Sequence, residues 1–152
     1  MKDYNQQTFD NRFDYLGDTA ENAFDTVYPQ HHKLGLNRPT FSMRNMLPVM
    51  RYTPDRMIPS AAVEVMAIGH DLTLKLKHEK LDALQQWARI MPVDLFIYHQ
   101  PSNTYWQQPL QQWSTQLAQH GQHERFDDGK TYIALHTKHF PGTQQQIPDG
   151  QT

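Results

Sequence analysis

Asp55 and Glu64, with eight residues between them, stand in settings that call on a carboxylate. Glu64 lies inside the run Ala61-Ala62-Val63-Glu64-Val65-Met66-Ala67-Ile68, whose other members are all apolar. Successive strand residues face opposite sides of a sheet, so Glu64 and Met66 share one face and Val63, Val65 and Ala67 the other. A carboxylate inside an apolar strand is costly unless it is paired or ligates a cation. Asp55 follows Pro54 at the end of the strand-like run Val49-Met50-Arg51-Tyr52-Thr53-Pro54-Asp55. A hairpin joining the two runs would bring Asp55 close to Glu64. Two converging carboxylates offer oxygen ligands to a hard cation, Mg²⁺ or Mn²⁺. Each residue also has an ordinary role open to it: Asp55 as a turn residue after proline, Glu64 as an edge charge facing water. The apolar neighbours of Glu64 argue against an edge.

Pro54-Asp55 followed by Glu64-Val65-Met66 resembles the signature of the PD-(D/E)XK nuclease superfamily, the restriction-endonuclease-like fold. The run Arg51–Asp55 and the strand Val63-Glu64-Val65 look most like small phage junction-resolving endonucleases and the nuclease subunit of certain transposases. The resemblance covers about residues 14–98 and implies a Mg²⁺-dependent (or Mn²⁺-dependent) DNA endonuclease. It implies that Asp55, Glu64 and the backbone carbonyl of Val65 hold the metal. It implies a third acid on the first helix, where Glu21 is the matching residue; a solvated helix residue fits Glu21 equally well. A homodimer follows from the need to cut two strands.

One departure from the pattern matters. Met66 stands where the family has its lysine, and a thioether can neither position a water nor stabilise charge on a phosphate. Lys75, Lys77 and Lys80 lie just downstream. A helix packed on the strand can offer an ammonium to the same pocket; relatives of the fold it resembles often place a polar active-site residue on that helix, so the resemblance implies Lys80 as the first candidate and Lys77 as the second. A solvated basic face is the plainer role for each. Arg51, Arg56, Arg44 and Lys75 are candidate contacts for DNA. Two rivals remain: a catalytically inactive nuclease-fold protein acting as a nucleic-acid-binding or assembly module, and an unrelated α/β interaction protein with structural carboxylates.

The elements that must position these groups follow from periodicity. Leu16, Ala20, Ala23, Phe24 and Val27 predict a helix over Asp14–Val27, stopped by Pro29. Strands are expected at Arg38–Asn45, Val49–Asp55 and Ala61–Ile68, with a turn at Arg56–Ser60. Leu72, Leu74 and Leu76 alternate as a strand extension or an extended lead into the next helix. Leu81, Leu84, Ala88 and Met91 predict a helix over Lys77–Met91, and Val93–Tyr98 a strand. Trp106, Leu110, Trp113 and Leu117 predict a helix with Pro109 in its first turn and Gly121 as its cap. Arg125–His136 reads as a hairpin around Asp128-Gly129. The order predicts one α/β domain, a central mixed sheet flanked by helices, over residues 1–142, with a Gln-rich flexible tail at 143–152.

The chain has 152 residues, 14 Lys and Arg against 16 Asp and Glu, 9 His and no Cys. That length buries one core. A formal charge of −2 excludes a protein that coats nucleic acid by bulk charge, though not a local basic patch. The lack of cysteine excludes thiol chemistry, disulfides and Cys-ligated zinc. No apolar run approaches the ~18 residues of a membrane span, and the N-terminus lacks a signal-peptide pattern. A soluble, cytoplasmic protein with no membrane partner is expected. The histidines show no zinc-helix spacing and read as scattered surface residues. Trp87, Tyr105, Trp106 and Trp113 fit core positions better than base-stacking platforms.

Overall fold

A computed structural model describes residues 17–35 and 46–149. Residues 17–27 form helix α1, followed by β1 (His32–Lys33), α2 (Pro48–Arg51), β2 (Arg56–Ile58) and β3 (Ala61–Ile68). Next come β4 (Thr73–Lys77), α3 (His78–Ala88), β5 (Val93–His99), β6 (Thr104–Pro109) and α4 (Leu110–His120). The chain ends with β7 (Gln122–Arg125), β8 (Thr131–His136), a 3₁₀ turn (Thr137–His139) and β9 (Gln145–Gln146). The result is a single α/β domain with a six-stranded sheet ordered β1-β2-β3-β5-β6-β9 and a three-stranded sheet ordered β4-β8-β7. In the larger sheet β3 and β5 run parallel and the other pairs antiparallel, so the sheet is mixed.

Alternation along β3 and β5 decides the layers. Ala62, Ile68, Val93, Leu95 and Ile97 enter one apolar cluster with Leu81 and Leu84 of α3 and Trp113 and Leu117 of α4. Val63, Val65, Phe96 and Tyr98 enter the other, against Ala20, Ala23 and Phe24 of α1. Helices therefore cover both faces, and Glu64 and Met66 point to the α3 side. The small sheet closes that same side, adding Leu74, Leu76, Ile133 and Leu135. Among the described residues no helix is long and apolar enough to cross a membrane.

Several expected elements change. Val49–Asp55 is not a strand: Pro48 occupies the start of α2, where its fixed φ suits a first turn, and the helix stops at Arg51. The expected turn at Arg56–Ser60 narrows to Pro59-Ser60 because Arg56–Ile58 is β2, paired with β3. The Leu72–Leu76 alternation is β4, but it pairs with β8 rather than extending β3. Trp106 lies in β6, and α4 begins only after Pro109, which cannot continue the strand's pairing inward. Ala88 is exposed, and Trp87 packs on the core in its place. Trp106, Trp113 and Tyr105 are buried, in keeping with core positions. The β7–β8 hairpin turns at Gly129, whose φ of +88° suits glycine. Residues 143–149, expected to be loose, dock instead: Gln145–Gln146 pairs with β6 and Ile147 is buried beside Phe96 and Tyr105. The expected strand Arg38–Asn45, residues 14–16 of the first helix and the end of the tail from 150 lie outside the described residues.

Gly121 ends α4 in an extended conformation, so no left-handed cap is involved. Its role is close approach. A Cβ there would lie 2.3 Å from the Leu117 carbonyl oxygen and 2.4 Å from the Ile133 methyl. Gly121→Ala is expected to destabilise the fold by about 1–3 kcal/mol, the usual cost of overpacking, read as a lower midpoint in urea denaturation.

Candidate functional site

The site forms where β2 runs out. The β2–β3 register starts at Arg56 opposite Val63, so Asp55 sits just beyond the paired stretch. The Val65 N–H, left without a β2 partner, donates to Asp55 Oδ2 at 2.9 Å. The N–H and C=O of one strand residue face the same edge, so the Val65 carbonyl opens on the Asp55 side. Pro54, itself buried, sets the entry to this corner.

Glu64 is only 3% exposed and lies within the influence of Asp55, Lys80 and Glu21. Burial pushes its carboxyl well above the usual range, and the negative charge of Asp55 pushes the same way. Lys80 opposes that displacement, while a hydrogen bond with Asp55 and the charge of Glu21 reinforce it. The charged carboxylate is therefore disfavoured there, and a bound cation would offset that penalty. Lys80, from the first turn of α3, brings Nζ to 3.8 Å from Glu64 Oε1. Met66, the next residue on that face of β3, packs against the apolar cluster under α3 and α4.

Helix α2 supplies what strand-like spacing concealed. Arg51 Nη1 donates to Glu79 Oε1 at 3.0 Å, and the Tyr52 hydroxyl donates to the same oxygen at 3.2 Å. Burial, then the Glu79 charge, raises the Tyr52 hydroxyl above its ordinary range. The Lys80 ammonium lies 5.9 Å from the centre of the Tyr52 ring, within cation–π range. Trp87 Nε1 donates to the Val49 carbonyl at 2.8 Å and pins α2 to α3. Tyr52, tied to Glu79, thus turns its ring toward the Lys80 ammonium. Each adjoins a residue already singled out, but with α2 read as a strand no spacing could place them together.

The other predicted residues fall elsewhere. Glu21 reaches the neighbourhood, but its Oε1 faces Arg56 Nη1 at 3.3 Å. Arg56 also approaches Asp25 at 3.4 Å and donates to the Asp55 carbonyl at 3.3 Å. With 3% exposure, Arg56 is an interior cation holding α1 to β2, not a surface contact for DNA. Arg51 is committed to Glu79, and Lys75 on β4 pairs with Asp71 at 3.6 Å. Of the expected basic patch, Arg51 and Arg56 thus face acids within the fold and Lys75 faces an exposed acid, while Arg44 lies outside the described residues. Lys77, the second candidate for the missing lysine, does not reach Glu64 in an ion pair; burial, then Lys130 and Lys80, lowers its ammonium below the ordinary range.

Among the described residues no three or more His, Asp or Glu side chains are grouped to hold a metal. The donor set at the corner is smaller: the Asp55 and Glu64 carboxylates with the Val65 carbonyl. All three are oxygen donors, which suits Mg²⁺ or Mn²⁺. The buried Glu64, whose charged form burial disfavours, is the group that a cation would relieve. Four of the histidines pair with one another, His78 Nε2 with His123 Nδ1 at 2.8 Å and His120 stacked on His139 at 3.9 Å.

No family model, curated protein or solved structure matches the chain. Function is therefore read from the corner itself: its oxygen donors, its buried acid and the lysine beside them.

Proposed function

We propose that the protein is a Mg²⁺-dependent DNA endonuclease of PD-(D/E)XK type in which Lys80 takes the place of the lysine lost at Met66. The observation that carries this is the approach of Lys80 Nζ to 3.8 Å from Glu64 Oε1, at a point where Asp55 and Glu64 converge. Asp55, Glu64 and the Val65 carbonyl would hold the ion. Bound there, Mg²⁺ lowers the pKa of a water and shields charge on a phosphate. The chain's own groups do the rest. The Val65 N–H fixes one Asp55 oxygen, and the Asp55 carboxyl also meets that of Glu64. The Lys80 ammonium, held between Glu64 and the Tyr52 ring, is set to donate to a phosphate oxygen or to orient an attacking water. Burial of Glu64 keeps bulk water away and strengthens these charge interactions.

Supercoiled plasmid incubated with Mg²⁺ should be nicked and linearised, and chelation should stop the reaction. Asp55→Asn keeps an acceptor for the Val65 N–H and should lower the rate roughly 10²–10³-fold without unfolding the protein. A wild-type protein that leaves duplex, branched and single-stranded DNA intact with both Mg²⁺ and Mn²⁺ would overturn the proposal. Met66 is the one observation that favours the second reading, a silenced nuclease fold that only binds nucleic acid. Gain of cleavage by Met66→Lys over an inactive wild type would select it.

A further inference from the structure

We propose that β7 is fastened to the body of the protein by two histidine pairs, His78 with His123 and His120 with His139, which work as a latch that acid opens. The inference is independent of the nuclease reading and concerns a part of the fold outside the carboxylate corner. It gives a conformational role to four histidines whose spacing in the sequence reads as scattered surface residues.

β7 has little else to hold it. It is the outer strand of the small sheet, where it pairs with β8, and all four of its residues are exposed. Burial of side chains therefore adds little to its attachment. The histidine pairs fasten it at two points. At the first, His123 Nδ1 meets His78 Nε2 at 2.8 Å, with the ring planes 4° apart. His78 Nδ1 in turn meets Thr131 Oγ1 at 2.7 Å, so the first residue of α3 is joined to both strands of the hairpin. At the second, His120 ends α4 two residues before β7 begins. Its ring stacks on that of His139 in the 3₁₀ turn, with centres 3.9 Å apart and planes within 2°. Phe140, the residue after His139, packs edge-on against Trp106 and Trp113, which anchors that turn in the core.

Each pair accommodates one proton and not two. A hydrogen bond between Nε2 and Nδ1 needs a hydrogen on one nitrogen and a lone pair on the other. One charged and one neutral imidazole satisfy that, whereas two imidazolium rings set N–H against N–H. The charged and titratable groups on the surrounding elements are Lys77 and Glu79 of α3, Glu124 and Arg125 of β7, Asp127, Asp128 and Lys130 of the turn, and Tyr132 of β8. The acids among them ease the first proton onto the pair, but none supplies the lone pair that the second removes. The stacked pair meets the same limit by repulsion between two positive rings face to face. The carbonyl end of α4 favours one charge at His120, while Lys138 and His136 stand on the His139 side. Desolvation, then His120, Lys138 and His136, holds the His139 ring below the ordinary histidine range. The open strand therefore binds more protons than the closed one. Closure is complete above the ordinary histidine value of about 6.5 and weakens as pH falls below it.

The test is amide hydrogen exchange read by NMR at about pH 7 and about pH 5, corrected for the intrinsic effect of pH on exchange. In wild type the amides of β7 should lose about tenfold in protection at the lower pH, while those of the central strand β5 keep theirs. His123→Asn/His139→Phe replaces each pair with one that takes a single proton. Asparagine keeps an oxygen for His78 Nε2, and phenylalanine keeps a flat ring on His120. This variant should hold β7 closed at both pH values. Should it fail to fold, the imidazole titrations of wild type decide. His78 and His123 should each shift in two coupled steps, as interacting sites do, and two simple independent curves would overturn the latch. Equal protection of β7 at the two pH values in wild type overturns it as well, and so does an acid-induced loss that persists in the variant.

Discussion

Glu64→Gln is expected to stop DNA cleavage while making the metal-free protein more stable at neutral pH. The two effects come from one buried carboxyl. Burial and the charge of Asp55 penalise its ionisation more than Lys80 relieves it. A folded pKa above the unfolded value means the group's stabilising contribution is complete below about 4.5 and is lost as pH rises through the folded value. Wild type without metal should therefore lose stability above that point, by about 1.4 kcal/mol for each pH unit within the window. Mg²⁺ should flatten the decline, since the cation replaces the proton. Glutamine has no proton to lose, so the variant should show neither the decline nor the Mg²⁺ rescue, and its cleavage rate should fall roughly 10²–10³-fold. Urea midpoints from about pH 4 to about pH 8, with and without Mg²⁺, read the first effect; a variant whose pH profile tracks wild type would count against it.

The second large effect is that of Lys80→Met. Here cleavage should fall by roughly 10²–10⁴-fold, the range for removal of a positioned proton donor or charge stabiliser. DNA affinity should change far less, because only one phosphate-facing cation is withdrawn. Met66 shares a face of β3 with Glu64 and is only partly buried. Lysine introduced there should restore part of the rate in the Lys80→Met background, since it reaches the same carboxylates from the strand. A Lys80→Met protein that cleaves like wild type would remove Lys80 from the mechanism and return Lys77 to consideration.

Some of this was readable in the chain because it depends on short-range pattern. Alternation placed Glu64 and Met66 on one face of β3, and the carboxylate spacing across a hairpin brought Asp55 to it. The helical stripe of Leu81 and Leu84 predicted the helix that carries Lys80, and the structure packs that helix over the Glu64 face of β3. Other features depend on partners far along the chain. Nothing near Arg56 shows that Glu21 and Asp25 on α1 will enclose it. Leu72–Leu76 alternates as a strand should, but its partner β8 lies far downstream, beyond α4. In α2, Val49 and Tyr52 have strand-like side chains, and only Pro48 hints at a turn of helix too short to show periodicity. The tail is polar throughout except at Ile147, and that one side chain reaches the core.

The rims of the large sheet bear on how two molecules could act together. Each described rim is a strand of two residues, His32–Lys33 on one side and Gln145–Gln146 on the other, all four exposed and polar. Short polar borders of this kind give a second polypeptide little backbone to copy. Any pair of molecules assembled to cut both strands of a duplex would have to meet through helices or the small sheet, leaving the large sheet of each a closed unit.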